Sequence, residues 1–83
     1  MVDDVSSMDW DKSRQIVLTY LNAKYAKFSD FLRQLPNQLF NDPETMETIQ
    51  VSPSDALREV QNLSELGKKI IVATLRNLDR LQQ

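Results

Sequence analysis

The chain has no cysteine, no histidine, one glycine and three prolines among its 83 residues. Each scarcity removes a class of chemistry. Without cysteine there is no disulfide to staple a small fold and no thiolate nucleophile. With histidine absent as well, a structural zinc site loses its usual ligands. Neither a Ser-His triad nor an imidazole base can be assembled. A single glycine, Gly67, cannot build the phosphate-cradling loops of nucleotide-binding folds. No window approaches the roughly 18 uninterrupted apolar residues that a membrane span needs. The opening MVDDVSSMDWDK is acidic and lacks an apolar core, so it does not read as a secretory signal. The expectation is a soluble, cytoplasmic chain, since a lack of cysteine suits a reducing compartment.

What is present has the balance of a folded domain: 41% hydrophobic and 27% charged, too apolar for a disordered chain. One small helical domain over residues 1–83 is expected, with residues 1–7 as a flexible acidic arm. A core of this size supplies little; below about 70–80 residues it rarely exceeds about 3–5 kcal/mol. With disulfides and zinc excluded, regular helix packing or self-association must provide the rest.

The formal net charge is −2, which counts against a protein whose main task is neutralising phosphates. The charge is unevenly spread. Asp3, Asp4, Asp9 and Asp11 lie near the start, with Asp42, Glu44 and Glu47 in the middle. Lys68, Lys69, Arg76 and Arg80 crowd the last third. Ends that complement each other suit packing of one against the other, within a monomer or between copies.

Hydrophobic periodicity predicts a long helix over 9–35. Val17, Leu18, Leu21, Tyr25, Phe28, Leu32 and Leu35 recur at spacings of three and four. Ser7 or Asp9 can cap its start, and Pro36 disfavours helical geometry at Leu35. Asp42-Pro43-Glu44 then reads as a fresh helix start, giving a short connecting helix to about Gln50. Thr48-Ile49-Gln50-Val51 has some strand character, but a lone strand lacks an evident partner. Ser52-Pro53-Ser54-Asp55 starts the last helix firmly. Val60, Leu63, Ile70, Leu75, Leu78 and Leu81 form its stripe, which favours one continuous, bent helix through Gly67. Gly67 either lets another backbone approach closely or divides two helices.

The fold class expected is therefore all-α: an antiparallel hairpin of two long helices with a short connecting helix. It would close as a three-helix bundle, or as a four-helix bundle from two copies. The stripes are wider than one partner helix can cover. The third element is then either residues 36–50 folded back or a second copy.

The order of Trp10, a helix, the turn Pro53-Ser54-Asp55 with Leu57, and a second helix loosely resembles the needle subunits of type III secretion systems. Residues 36–51 depart from that pattern, since a simple needle hairpin does not need them. The resemblance implies a secretion or assembly subunit and assigns no residue a role.

Function is expected to lie in contacts rather than catalysis: a non-enzymatic helical interaction module, such as a small subunit, adaptor or chaperone-like protein. No cofactor, metal or small-molecule substrate is expected. The partner expected is a second copy, as a homodimer, or another helical protein. Trp10, Tyr20, Leu39, Phe40 and Met46 are the interface candidates, because buried aromatic and apolar anchors dominate binding energetics. Leu39 and Phe40 could equally be a lid on the chain's own core. Lys69, Arg76 and Arg80 share a helix face and are the candidates for the alternative, a regulatory nucleic-acid-binding protein. The plainer reading of that face is the solvated back of an amphipathic helix.

Overall fold

The structure, a computed structural model, describes residues 9–26 and 36–81. In chain order it contains α1 (Trp10–Tyr25), β1 (Gln38–Asn41), β2 (Thr48–Val51), α2 (Pro53–Asn62) and α3 (Glu65–Leu81). Both strands pair antiparallel in one hairpin, with Phe40 opposite Ile49 and Gln38 opposite Val51.

Helix α1 starts as its sequence dictates. The Asp9 carboxylate accepts the Lys12 backbone N–H at 3.1 Å, satisfying one of the donors left open at a helix N-terminus. Ser13, Val17, Leu21 and Tyr25 form its buried face, each four residues after the last. The expected helix over 9–35 is seen from Trp10 to Tyr25; its remainder, with Phe28, Phe31, Leu32 and Leu35, lies outside the described residues, as does the acidic arm 1–7.

The all-α expectation is overturned at residues 38–51. Where a short connecting helix was expected, so that the molecule would be a helical hairpin or bundle, there is a β-hairpin. The reason is local. Asp42 acts as the expected cap, its Oδ1 accepting the N–H groups of Glu44 at 2.8 Å and Thr45 at 3.3 Å. Pro43 follows as the sequence suggests. The same chemistry opens a tight turn, with Asp at its first position and Pro at its second. Met46 decides between them. It takes φ 64, a left-handed conformation that ends any helix. Its N–H returns to the Asp42 carbonyl at 2.8 Å, and the Asp42 N–H donates to the Glu47 carbonyl at 2.9 Å. The chain reverses, and Thr48–Val51 finds the partner strand it seemed to lack.

A second correction falls at Leu63. The last helix is two, and they part there rather than at Gly67. Leu63 has φ 51; its N–H donates to the Val60 carbonyl, and the Ser64 N–H to the Glu59 carbonyl. This is the Schellman arrangement, with leucine where glycine is usual. Ser64 then caps α3, its hydroxyl accepting the Gly67 N–H at 3.0 Å. Gly67 serves the close approach: a Cβ there would stand 1.9 Å from the Glu59 carbonyl oxygen. The glycine lets the end of α2 rest against the start of α3.

Helix α3 is the centre of the domain. Ile70, Ile71, Val72, Ala73 and Thr74 are buried in succession, so this segment is covered on every side rather than along one stripe. Helices α1 and α2 cover part of it through Val17, Leu21, Ala56 and Val60; Phe40, Ile49 and Val51 of the hairpin complete the core. Residues 36–50, folded back, cover part of the wide stripes through Phe40 and Ile49. Each fully buried Leu, Ile or Val contributes roughly 1.5–3 kcal/mol.

Candidate functional site

Two surface concavities receive most of the residues singled out from the sequence. The first is a groove of about 190 Å³ beside β1. Helix α1 supplies Tyr20 and Lys24, β1 supplies Leu39, Phe40 and Asn41, and α3 supplies Thr74, Asn77 and Leu78. Strand alternation splits the Leu39–Phe40 pair. Phe40 points into the core, and Leu39 is 60% exposed. Tyr20 is 38% exposed and Ile16, one turn earlier on α1, is 44% exposed. Tyr20 and Leu39 line the groove, and among the described residues Ile16 and Met46 are the other large apolar side chains left exposed.

Polar groups at the groove are unevenly matched. Asn77 donates to the Asn41 carbonyl at 2.7 Å, tying α3 to β1. The Thr74 hydroxyl, on a residue only 5% exposed, has no partner among the described residues. Tyr25 is buried, and its hydroxyl has no partner among the described residues either. Burial, and then the neighbouring Tyr20, push the Tyr25 phenol above its ordinary pKa.

The register shows which backbone groups of β1 are left unpaired by β2. The Asp42–Glu47 hydrogen bond closes the hairpin. Counting outward from it, Phe40–Ile49 and Gln38–Val51 exchange hydrogen bonds, while Leu39 and Asn41 direct their N–H and C=O away from β2. The Asn41 carbonyl is taken by Asn77. Among the described residues no strand pairs with the outward N–H and C=O of Leu39, which leaves that edge of β1 open beside the groove.

The second concavity, about 370 Å³, lies between the start of α1, the hairpin loop and α3. Trp10, Ile49 and Val72 line it with apolar surface; Lys68, Lys69, Arg76, Asp42 and Glu47 line it with charge, and Thr45 with a hydroxyl. Arg76 donates to Asp42 Oδ2 at 2.7 Å, and Lys69 lies 3.3 Å from Glu47. Burial alone would push the Asp42 carboxyl up. The Arg76 hydrogen bond, the N–H groups of Glu44 and Thr45, and the Arg76 charge outweigh it and hold the group below the usual carboxylate range. The Lys68 ammonium stands 5.2 Å from the Trp10 ring centroid, a cation–π distance.

The interface candidates are therefore not gathered in one patch. Tyr20, Leu39 and Phe40 meet at the first groove. Trp10 is half-buried at the second concavity, and Met46 stands alone at the hairpin tip, 81% exposed. Of the basic-face candidates, Lys69 and Arg76 meet acids of the hairpin and Arg80 is exposed. The residues that sequence reasoning passed over are Thr74 and the acid partners Asp42 and Glu47 in their pairing role. A pair such as Asp42–Arg76, 34 residues apart, has no local signature. No group of three or more acidic, histidine or cysteine side chains is placed to hold a metal among the described residues, and no helix there is long and apolar enough to cross a membrane. Comparison with protein families, with curated proteins and with solved structures finds no match.

Proposed function

We propose that this chain is a non-enzymatic protein–protein interaction module, a small cytoplasmic subunit that associates with a second copy of itself through the β1 edge. The observation that carries the reading is Leu39: a large apolar side chain, 60% exposed, beside Tyr20 on a strand edge that is open among the described residues. Open edges of this kind accept another strand. The size of the domain supports the same conclusion, since a core this small with neither disulfide nor zinc gains from association. In an isologous dimer β1 would run antiparallel to its own copy, Leu39 would lie near the two-fold axis, and Tyr20 and Ile16 would cover the flank.

The basic face offers less to a nucleic acid, because Lys69 and Arg76 already face Glu47 and Asp42. That leaves fewer uncompensated charges for phosphate.

The absence of native cysteine makes a direct test simple. A Leu39→Cys chain places a lone thiol at the proposed axis, and a disulfide needs Cα atoms within about 7 Å. Mild oxidation is expected to convert Leu39→Cys to a covalent dimer much faster than Met46→Cys, whose thiol would sit on the exposed hairpin tip. Equal rates for the two would contradict the proposed interface.

A further inference from the structure

The geometry points to the second concavity as a binding site for a small amphipathic monoanion, a carboxylate with a compact apolar body. Its volume, about 370 Å³, lies at the small end of the range for ligand pockets, about 300–1,000 Å³. Trp10, Ile49 and Val72 give the lining an apolar part, beside the charged side chains of Lys68, Lys69, Arg76, Asp42 and Glu47.

Charge matching narrows the ligand class. The lining holds three cations and two acids. Arg76 is paired with Asp42, and Lys69 with Glu47. Lys68 is the cation left without an acid partner among the described residues, and its ammonium lies over the Trp10 ring instead. One positive charge without an acid partner, set against the apolar Trp10 ring, complements one negative charge on an apolar body. A polyanion such as a nucleotide phosphate chain would meet the Asp42 and Glu47 carboxylates. A bare inorganic anion would leave the apolar walls unfilled. A neutral apolar molecule would fill the walls and leave the Lys68 charge unused.

The ligand carboxylate would accept a hydrogen bond from the Lys68 ammonium, drawing it from the ring face and opening that face to the apolar body. None of these residues lines the Tyr20–Leu39 groove, so this proposal does not depend on self-association.

Trp10 is the sole tryptophan, so its indole N–H gives a single resonance at the site. The test is a titration of the full-length chain with octanoate, and separately with octanamide, to about 10 mM, a range that captures millimolar affinities. Octanoate is expected to shift the Trp10 indole and Val72 amide resonances saturably. Octanamide is expected to bind about tenfold more weakly, because a charge-assisted hydrogen bond is lost. Lys68→Gln is expected to bring octanoate down to the octanamide level and to leave octanamide unchanged; Lys68→Arg is expected to retain octanoate binding. Unchanged chemical shifts away from the site show that each variant stays folded. No saturable shift with octanoate, equal binding of acid and amide, or undiminished octanoate binding by folded Lys68→Gln would each overturn the proposal.

Discussion

Arg76 and Asp42, 34 residues apart, form a half-hidden ion pair at 2.7 Å that fastens the hairpin loop to α3. The two side chains are 16% and 11% exposed, so solvent screens the pair weakly. The other oxygen of Asp42 organises the turn. One carboxylate therefore holds both the shape of the loop and its position. Asp42→Ala is expected to destabilise the domain by about 3–5 kcal/mol, the range for removing one partner of a buried pair, as read by urea denaturation. Asp42→Asn keeps an acceptor for the turn and loses only the charge, so it should cost less.

Acid should act on the same group. The folded-state pKa of Asp42 lies below its unfolded value, which is about 3.9. Above about pH 5 both states are ionised and the pair contributes in full. As pH falls, the unfolded chain takes up the proton first, and the contribution fades until the folded carboxyl is protonated as well. Melting temperature measured from pH 7 downward should fall less steeply in Asp42→Asn than in the parent chain.

Phe40 and Leu39 are neighbours with opposite duties. Phe40→Ala empties a core position and is expected to cost about 3–5 kcal/mol, most of what so small a domain has. Leu39→Ala is expected to leave the stability of the monomer within about 0.5 kcal/mol. Denaturation at low protein concentration, where association does not contribute, separates the two.

Met46 occupies a left-handed position with φ 64 and is almost fully exposed. A side chain there costs roughly 1–2 kcal/mol that glycine avoids, partly offset by the greater freedom of glycine in the unfolded chain. Met46→Gly is expected to stabilise the domain by about 0.5–1 kcal/mol, with the denaturation midpoint moving up. Little packing is lost because the side chain touches little.

Tyr25 contributes in the alkaline direction. Its folded pKa is raised, so its contribution is complete below the unfolded value of about 10 and declines as pH rises through the folded value. Tyr25→Phe removes a buried hydroxyl that lacks a partner among the described residues. It is expected to gain about 1 kcal/mol at neutral pH and to flatten the loss of stability above pH 10, as followed by circular dichroism.

Much of the helical part was legible because it is written locally. The Asp9 cap, the Ser52-Pro53-Asp55 start and the four-residue spacing of Val17, Leu21 and Tyr25 each act within one or two turns. The hairpin was hidden because Asp42-Pro43 opens a helix and a turn with the same hydrogen bonds. The deciding residue, Met46, is of a type that rarely takes the left-handed conformation. The break at Leu63 was hidden for the same reason, and Gly67, the visible candidate, was committed to the contact with Glu59. At the surface, strand alternation separated Leu39 from Phe40 once β1 existed. The pairing of the basic face with Asp42 and Glu47 depends on the hairpin folding against α3, which no local pattern records.

The central claim is self-association through the Leu39 edge, and solution mass tests it most directly. Light scattering after size exclusion, from about 1 to about 200 µM, spans the affinities of ordinary small dimers. The chain is expected to approach twice its 9.6 kDa mass as concentration rises, and Leu39→Lys is expected to hold it at the monomer mass with its circular dichroism unchanged. A parent chain that stays monomeric across the range, or a Leu39→Lys chain that dimerises as well as the parent, would contradict the account.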